Sequence, residues 1–334
     1  MKISLQKIKE DVKQVFKKWG FPDEDIEIIL ANFIEAELSG KKSHGFGNLF
    51  WYKDVVDGKY GPLNKNGADP CIKKETVSSL TIDGKDKTGY IVMKFAMDKA
   101  LEKMKENGLL FVTLTNTAPT IGFIGSYAKQ AAKAGHIFIC FSNAGSSTAL
   151  FGTMSKIVGT NPITFGIPTG ETSIMLDMAT AATTYASLLQ AKNIQKTFIE
   201  NVGLNADGNL TNNPSEILSG GMLIPFGGYK GSGISLMVEI LAGALTGSKT
   251  GSNKNPHWGT SFILLDPTLF CERETFNSRI HLLTEEIKNA PKRTGVKEVS
   301  LPGEQSQKQY HENIKKDEID IPDDFYEKLE RISH

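Results

Sequence analysis

Apolar residues recur at helical spacing near both ends of the chain. Between the N-terminus and Gly20 they return every three or four positions, and the same spacing runs from Pro22 to Gly40. This period gives each segment one apolar face, so it predicts two amphipathic helices that the glycines terminate. Asp323–Ile332 repeats the pattern near the other end of the chain and predicts a terminal amphipathic helix.

The middle of the chain instead contains short apolar runs between glycines and prolines, which are typical of buried strands. The predicted strands are LLFVTL at Leu109–Leu114, HIFICF at 136–141, Val158–Ile167, Ile174–Met178 and Phe262–Leu265. Helical patterns alternate with them at Thr88–Asn107, Ser126–Ala134 and Gly233–Leu245, the last apolar enough to be buried. We therefore predict an α/β protein in which the early helices and the charged tail fold together around a strand-rich centre.

Composition and charge argue against several classes of protein. The 334 residues contain 38 basic and 38 acidic side chains, so no net charge favours a nucleic acid as partner. Three cysteines, none in a C-x-x-C pair, argue against a zinc site or a disulfide framework and favour a reducing cytoplasm. The longest apolar stretch, Ile234–Leu245, contains Glu239 and is too short to span a membrane. The sequence thus predicts a cytoplasmic protein without a metal site.

Two common nucleotide-binding signatures, G-x-x-x-x-G-K-[ST] and a G-x-G-x-x-G between a strand and a helix, do not occur in the sequence. The nearest motif is GGYKGSG at 227–233, just before the apolar helix. Its glycines allow backbone N–H groups close to a ligand, the helix N-terminus favours an anion, and Lys230 adds a positive charge. A tight turn with a solvated lysine explains the motif equally well. An arginine fork for an anion is available only from Arg273 onward.

His44 is the candidate proton donor among the six histidines. It follows Ser43 in a glycine-flanked turn after the second predicted helix, eight residues before Tyr52. An imidazole titrates near neutral pH and a hydroxyl group can orient it, which is what protonation of a carbonyl oxygen requires. The same Ser-His-Gly tripeptide could also be an ordinary turn at a helix C-terminus. Neither a Ser-His-Asp order nor H-E-x-x-H is present, so hydrolase and zinc-protease chemistry have little support.

Two further segments combine a turn with polar side chains. GTNP at 159–162 predicts a rigid turn between strand ends, and Asp177 interrupts an apolar strand just before Met178. A carboxylate at the end of a strand can contact a ribose or a backbone amide, or it can cap the following helix. From the residues alone, both interpretations of Asp177 stay open.

Taken in order, six segments resemble the type 2 malate/L-lactate dehydrogenases, a family that includes ureidoglycolate and sulfolactate dehydrogenases and 2,3-diketo-L-gulonate reductases. They are SHG at 43–45, GTNP at 159–162, LDMAT at 176–180, PFGGYKGSG at 225–233, VEILAG at 238–243 and LPG at 301–303. Each segment is short, but together they span nearly the whole chain in the family's order. We therefore expect the chain to share the fold and the chemistry of this family.

The resemblance implies a non-Rossmann fold of the α/β class, a largely antiparallel sheet wrapped by helices, with a second, helical domain from both termini. Residues 1–110 and 275–334 would form that helical domain and carry substrate and dimer contacts, whereas residues 111–274 would bind the nicotinamide cofactor. Family members are homodimers or larger, with the active site near the subunit interface. We accordingly expect a homodimer with a small-molecule substrate and no nucleic-acid or membrane partner.

The resemblance also implies roles for individual residues. Catalysis would fall to His44 as the proton donor, with Ser43 and Tyr52 beside it, and to Lys230. Contacts with NAD (NADH) or NADP (NADPH) are implied for Thr160, Asn161, Ser173, Ile174, Met175, Leu176, Asp177, Met178, Ala179, Tyr229, Lys230, Gly303, Glu304 and Gln305.

The chain departs from the family pattern on the substrate side. Asn48 stands where members usually have an arginine, and Pro119 or Thr120 stands where many have a histidine. Ile157 or Val158 replaces an arginine that often precedes GTNP. We expect Asn48 and Thr120 to contact the substrate in place of the two family residues.

Two functions fit these observations. The first is an oxidoreductase that transfers a hydride between NAD(P)H and the 2-oxo/2-hydroxy position of a small acid such as malate, lactate or diketogulonate. The alternative is a catalytically degenerate relative that binds a dinucleotide as a sensor or partner subunit. The absent arginine and histidine motivate the alternative, because a positioned acid–base group contributes about 10²–10⁴-fold to a rate.

Overall fold

Helices and strands alternate along the computed structural model, which describes residues 1–170 and 173–333. The α-helices are α1 (Leu5–Lys18), α2 (Asp23–Leu38), α3 (Leu49–Val56), α4 (Gly89–Lys103), α5 (Gly125–Lys133), α6 (Tyr185–Asn193), α7 (Pro214–Leu218), α8 (Tyr229–Val238), α9 (Arg273–Asn289), α10 (Glu304–Lys316) and α11 (Asp323–Ser333). The strands are β1 (Lys2–Ser4), β2 (Cys71–Glu75), β3 (Ser79–Asp83), β4 (Leu109–Thr115), β5 (Ile137–Ser142), β6 (Ile163–Pro168), β7 (Ser173–Met178), β8 (Gly203–Leu204), β9 (Leu210–Thr211), β10 (Met222–Leu223), β11 (Thr260–Leu265) and β12 (Glu318–Asp320). Short 3-10 turns lie at Phe46–Asn48 and Pro267–Leu269, and a π-helical segment, Glu239–Ala244, continues α8.

Seven of the strands form the central sheet, in the order β2-β3-β4-β11-β5-β6-β7. Neighbouring strands are antiparallel throughout, except that β3 and β4 run parallel. Phe262 of β11 lies opposite Val112 of β4 on one side and Cys140 of β5 on the other, and all three side chains are buried. The prediction of an α/β fold with a largely antiparallel sheet is confirmed.

Helices α4 and α5 cover the sheet and close its core. Leu110, Val112 and Leu114 are alternate residues of β4, so they point to the same face of the sheet. They pack in one buried cluster with Val92 and Ala96 of α4, which lie four residues apart on one helical face. The strand period and the helical period thus bring their apolar faces into the same core.

The two ends of the chain pack together in a second core. Strands β1 and β12 pair, with Ile3 opposite Ile319, and α1 packs against α11. Phe16, Phe33 and Tyr52 lie at the centre of this core and are fully buried. Contacts between the two ends of the chain therefore build a helical unit.

The predicted boundary at residue 110 does not follow this arrangement. Strands β2 and β3 precede residue 110 but belong to the central sheet, where Leu80 and Ile82 are buried against the other strands. At the other end, α9 has no buried residue, whereas α10, β12 and α11 make the contacts with the N-terminal segments. The helical unit is therefore built from segments nearer to both termini than the sequence indicates.

Helix α8 and its π-helical continuation differ from the buried helix that their composition predicts. Ser235, Val238 and Ala242 face the interior and are buried. The opposite face is apolar and open to solvent, with exposed Ile234, Leu236, Met237, Ile240 and Leu245. In the parts of the chain that the structure describes, no helix combines the length and apolarity that a membrane crossing requires.

Candidate active site

A large cavity lies where the helical ends of the chain meet the central sheet. Its volume is about 1520 Å³, more than the roughly 300–1,000 Å³ that is typical of a small-ligand site. It is lined by the turn between α2 and α3, the loops after β4 and β5, the end of β7, α6, residues 249–258 and the start of α11. A cavity of this size can hold a dinucleotide and a small acid together.

The cavity wall carries an excess of positive charge. Its charged residues are Lys41, Lys42, Lys59, Lys156, Lys249, Lys254 and Lys328, against Glu37, Asp177, Asp320 and Asp324. A cleft with this balance raises the local concentration of anionic ligands, such as the phosphates of a dinucleotide or a carboxylate. Within residues 1–170 and 173–333, no cluster of three or more His, Cys, Asp or Glu side chains could hold a metal ion.

The turn that carries Ser43 and His44 follows directly from the end of α2. The backbone N–H groups of His44 and Gly45 donate to the carbonyl oxygen of Lys41, at 2.8 and 3.1 Å, and curl the chain toward the cavity. Ser43 Oγ lies 3.0 Å from His44 Nδ1. Among the described residues, His44 Nε2 has no hydrogen-bonding partner. The serine can therefore orient the ring while the second nitrogen is available to a ligand.

Burial lowers the pKa of His44 below its ordinary value near 6.5, because the imidazolium loses hydration. The carboxylate of Asp177 opposes this effect and raises the pKa, while the Lys41 ammonium group lowers it. The protonated ring is thus a stronger acid than a histidine in water. A group of this kind gives up its proton readily, as protonation of an alkoxide requires.

Asp177 joins three elements at the cavity wall. Its Oδ2 accepts a hydrogen bond from the backbone N–H of Gly125, and its Oδ1 accepts one from Thr164 Oγ1, both at 2.8 Å. Gly125 begins α5, so the carboxylate sits at the positive end of that helix. Of the two interpretations that the sequence leaves open, contact with a backbone amide is the one observed.

The residues predicted to bind the cofactor do not all reach the main cavity. Those that line it are Thr160, Asp177, Met178 and Ala179. A second cavity of about 140 Å³ shares Lys41 and Asp177 with the first and is lined also by Met175, Leu176 and Gly303. Gly303 has a φ of +87°, and a Cβ there would lie 2.9 Å from the Met175 carbonyl oxygen. Only glycine fits this close approach of the two chain segments.

The other predicted cofactor residues of β7, α10 and the GTNP turn support the wall without lining either cavity. Ser173 accepts a hydrogen bond through its carbonyl oxygen from Gln307 Nε2, at 2.6 Å, and its neighbour Ile174 lies on the same strand. Glu304, which directly precedes Gln305 in α10, accepts a hydrogen bond through its Oε2 from the backbone N–H of Leu301.

Asn161 anchors the GTNP turn to α8 instead of facing the cavity. The side chain is fully buried, and its Nδ2 donates to Glu239 Oε2 at 2.8 Å and to the Ser235 carbonyl oxygen at 3.1 Å. These bonds fix the position of the adjacent Thr160, which does line the cavity.

Asn48 and Thr120, predicted to contact the substrate, both line the main cavity. Asn48 Nδ2 donates to the hydroxyl of Tyr90 at 3.3 Å, so its amide nitrogen turns toward the core. Thr120 Oγ1 accepts from the backbone N–H of Gly122 at 3.2 Å. Two uncharged side chains, each already bonded to the protein, thus occupy these positions.

Tyr52 does not lie beside His44 in the cavity wall, as the sequence interpretation expects. Its ring is fully buried in the helical core, 5.5 Å from Phe16 and 5.9 Å from Tyr90 between ring centroids. One face of α3 packs inward, and Tyr52 lies on that face, whereas the preceding residue, Trp51, lines the cavity. Burial raises the pKa of the Tyr52 hydroxyl far above its usual range, which argues against proton transfer.

Tyr229 and Lys230 also lie outside the cavity of their own chain. Both stand at the start of α8, and both are exposed. The GGYKGSG turn therefore presents them on the molecular surface, next to the apolar face of the helix. Their predicted contacts with a cofactor therefore stay a prediction.

Several lining residues were not singled out from the sequence. The loop Ser142–Ser147 (SNAGSS) follows β5 and lines the cavity, as do residues 253–256 and Trp258. A glycine- and serine-rich loop directly after a buried strand was a usable signal for the first segment. For the second, the sequence offered none, because residues 253–258 join the wall through tertiary packing.

Glu37 is a buried carboxyl group in the cavity wall beside the histidine turn. Its Oε2 accepts a hydrogen bond from the backbone N–H of Phe46 at 3.3 Å. Gly45 packs directly on it, since a Cβ there would lie 2.4 Å from Glu37 Oε2. Burial raises the pKa of Glu37 to about 7, against smaller opposing effects of Lys42 and the Phe46 N–H group.

Replacing Glu37 by glutamine is expected to make stability less dependent on pH. The folded protein holds the Glu37 proton more tightly than the unfolded chain, so stability falls as pH rises from about 4.5 through about 7. Above that window the ionised carboxylate costs up to about 3 kcal/mol, which the glutamine variant avoids. Urea unfolding across this pH range measures the difference. Glu24→Gln, on an exposed position of the same helix, is the control, and equal pH slopes in Glu37→Gln and the unmodified protein would contradict the assignment.

Comparison with known proteins places this fold among dehydrogenases. The L-sulfolactate dehydrogenase of Methanocaldococcus jannaschii is 34% identical over 331 residues, covering 97% of this chain and 94% of that protein. Its solved structure has a TM-score of 0.88 at 32% identity over 99% of this chain and 96% of that one. The malate dehydrogenase structure from Entamoeba histolytica reaches a TM-score of 0.91 at 26% identity, over 100% and 97% of the two chains.

A further relative and a family model agree with these structures. A malate dehydrogenase of Pyrococcus horikoshii is 33% identical over 306 residues, 88% of this chain and 84% of that protein. The family model described as malate/L-lactate dehydrogenase matches residues 3–330, nearly the full length of the sequence. The relatives are dehydrogenases or reductases of small hydroxy acids, which supports a redox role. The chain therefore belongs to the malate/L-lactate dehydrogenase family.

Proposed function

We propose that the protein is an oxidoreductase that transfers a hydride between NADH or NADPH and the 2-oxo/2-hydroxy position of a small acid. The observation that carries this proposal is His44, oriented by Ser43 and with Nε2 free of described partners, in the wall of a lysine-rich cavity. The family relation supports the redox role, and the size and charge of the cavity support an anionic dinucleotide as cofactor.

In the proposed reduction, the bound nicotinamide supplies the hydride that forms the new C–H bond at the carbonyl carbon. The carbonyl π electrons move to oxygen, and His44 donates its proton to that oxygen. Ser43 holds the ring through Nδ1, and the Asp177 carboxylate favours the protonated form. The histidine then recovers a proton from water. In the oxidation direction, the same nitrogen accepts the hydroxyl proton.

The cofactor would lie along the end of β7, against Thr160, Met178 and Ala179. Lysines of the wall, such as Lys156 and Lys249, would neutralise its phosphates, because an ammonium group serves as a point charge for phosphate. The same lysines could bind the additional phosphate group of NADPH, so the proposal includes both NADH and NADPH. Met175, Leu176 and Gly303 form a side pocket that a part of the dinucleotide could enter.

Absorbance of the reduced nicotinamide measures this function directly. The purified protein is given NADH or NADPH with a panel of pyruvate, oxaloacetate, sulfopyruvate, 2,3-diketogulonate, longer 2-oxo acids and neutral ketones. We expect saturable oxidation with at least one 2-oxo acid. Tight NAD(P)H binding without oxidation by any compound, while a related dehydrogenase is active in the same assay, would instead support a degenerate protein that senses or carries the dinucleotide.

We also propose that two copies assemble through the exposed apolar face of α8. This face carries Leu236, Met237 and Ile240 next to Tyr229 and Lys230, which do not reach the cavity of their own chain. A group of exposed apolar side chains on one helix face commonly marks an interface. Light scattering tests the assembly, and a mass equal to one chain at working concentration would overturn it.

The three cysteines are free, in keeping with the cytoplasm as the proposed compartment.

A further inference from the structure

Three aromatic rings stand together in the wall of the main cavity. This group, the rim cluster, consists of Trp51, Tyr60 and Trp258. The ring centroids of Trp51 and Tyr60 are 5.2 Å apart, those of Trp51 and Trp258 are 6.1 Å apart, and those of Tyr60 and Trp258 are 6.4 Å apart. Each ring thus contacts the other two at the spacing of favourable aromatic pairs.

The rim cluster is held in place from several sides. Trp51 Nε1 donates a hydrogen bond to the Tyr60 hydroxyl at 3.2 Å. Next to Trp258, His257 Nε2 lies 2.6 Å from Asp86 Oδ1, and its Nδ1 lies 3.1 Å from Asn255 Oδ1. The histidine therefore ties the segment that carries Trp258 to a separate loop, and these contacts fix the arrangement of the cluster.

The rings of the rim cluster are only partly covered by the protein. Tyr60 is 36% exposed, and Trp51 and Trp258 are half-buried. Tyr52 and Tyr90, in the adjacent helical core, are fully buried by comparison. Since the rim cluster lines the cavity, its uncovered faces are apolar surface that a ligand could cover. A flat ring that covers such faces removes apolar surface from water and forms an aromatic pair, and both effects favour binding.

The charged groups near the rim cluster suit a ligand with one carboxylate and an apolar remainder. Asn48, three residues before Trp51, is uncharged, and its amide nitrogen is engaged by Tyr90. Lys254, four residues before Trp258, lines the cavity and has no carboxylate partner among the described residues. It can therefore bind an anion. Asn48 and the aromatic rings themselves offer no positive charge to a second carboxylate, which would have to approach one of the other wall lysines.

We propose that the rim cluster binds the side chain of the substrate, and that the preferred substrates are 2-oxo acids with a planar aromatic side chain. This inference rests on the proposed hydride transfer at His44. The substrate ring would stack on Trp51 and Trp258, the carboxylate would approach Lys254, and the 2-oxo group would face His44. Short dicarboxylic acids would leave the aromatic faces uncovered.

Steady-state kinetics with phenylpyruvate, pyruvate and oxaloacetate test the inference. We expect kcat/KM to be about tenfold or more higher for phenylpyruvate, the gain expected from ring stacking and apolar burial. Trp258→Ala should remove about tenfold of this preference through KM, with a smaller loss for pyruvate. Tyr60→Ala is a second variant in case the first is poorly folded. Trp19→Phe, outside the cavity in the helical core, should leave both substrates unaffected.

Calorimetric binding of 3-phenyllactate separates failure of this inference from failure of the proposed function. If no acid is turned over but phenyllactate binds and Trp258→Ala abolishes that binding, the aromatic site stands and the proposed function fails. If kcat/KM for pyruvate or oxaloacetate equals or exceeds that for phenylpyruvate, the inference is overturned and the proposed function stands. It is also overturned if Trp258→Ala weakens NAD(P)H as much as phenyllactate, because the rim cluster would then bind the cofactor.

Discussion

Replacement of His44 by alanine is expected to lower kcat for 2-oxo acid reduction at least about 100-fold, while the Kd for NADH or NADPH changes less than about threefold. The imidazole is the group in the cavity wall whose nitrogen is free of described partners and whose second nitrogen is oriented by a serine hydroxyl. Its removal leaves water to protonate the developing alkoxide. Single-turnover absorbance measurements separate this chemical step from binding.

Two variants serve as controls for this prediction. His311→Ala removes an exposed imidazole on α10 and should leave the rate unchanged. Ser43→Ala removes only the orienting hydroxyl, so we expect a smaller loss than that of His44→Ala. Full activity of His44→Ala, with intact cofactor binding, would remove His44 from the mechanism and require another proton donor in the cavity.

The pH profile provides a separate check on the same residue. Reduction uses the protonated ring, so the rate should fall as pH rises through the pKa of His44. Because burial lowers that pKa, the fall should occur below the pH of an ordinary histidine. Asp177 raises the pKa of His44, so Asp177→Asn should move the fall to still lower pH. If the rate of Asp177→Asn fell at the same pH as that of the unmodified protein, this electrostatic coupling would be contradicted.

The sequence identifies the local turn of the active site but not the direction in which its neighbours face. Ser43 and His44 are adjacent in the chain, so their contact depends only on the turn after α2. Tyr52 and Trp51 are neighbours on α3, yet the tyrosine packs in the core and the tryptophan lines the cavity. The motif alone cannot choose between these faces, because both residues are aromatic and the choice depends on Phe16 of a distant helix.

Long-range packing explains the other differences. A short apolar run predicts a strand at Leu109–Leu114, and β4 forms there with only one residue added at its end. Strands β2 and β3 join the same sheet through pairing that no local pattern reveals. Likewise, the apolar composition of α8 is compatible with a helix buried inside the chain or with a helix that exposes one apolar face. Composition alone cannot distinguish the two, because the exposure of the helix depends on which other segments of the chain pack against it.

A buried ion pair fastens the helical unit to the central sheet. Lys87 Nζ lies 2.8 Å from Asp25 Oδ2, and the two side chains are only 4% and 9% exposed. The same ammonium group donates to the Lys65 carbonyl oxygen at 3.2 Å. Asp25 belongs to the first turn of α2, and Lys87 lies just before α4, so this contact joins α2 to the segment that leads into α4.

Replacement of Lys87 by methionine is expected to lower the free energy of unfolding by about 3–5 kcal/mol, because Asp25 would remain as an unpaired charge away from water. Urea unfolding followed by circular dichroism measures the change. Lys94→Met breaks an exposed pair with Asp98 on α4 and should cost less than about 1 kcal/mol. The double variant Lys87→Met with Asp25→Leu removes both charges, so it should recover most of the loss. A double variant no more stable than Lys87→Met would show that packing of the lysine chain, and not the uncompensated carboxylate, causes the destabilisation.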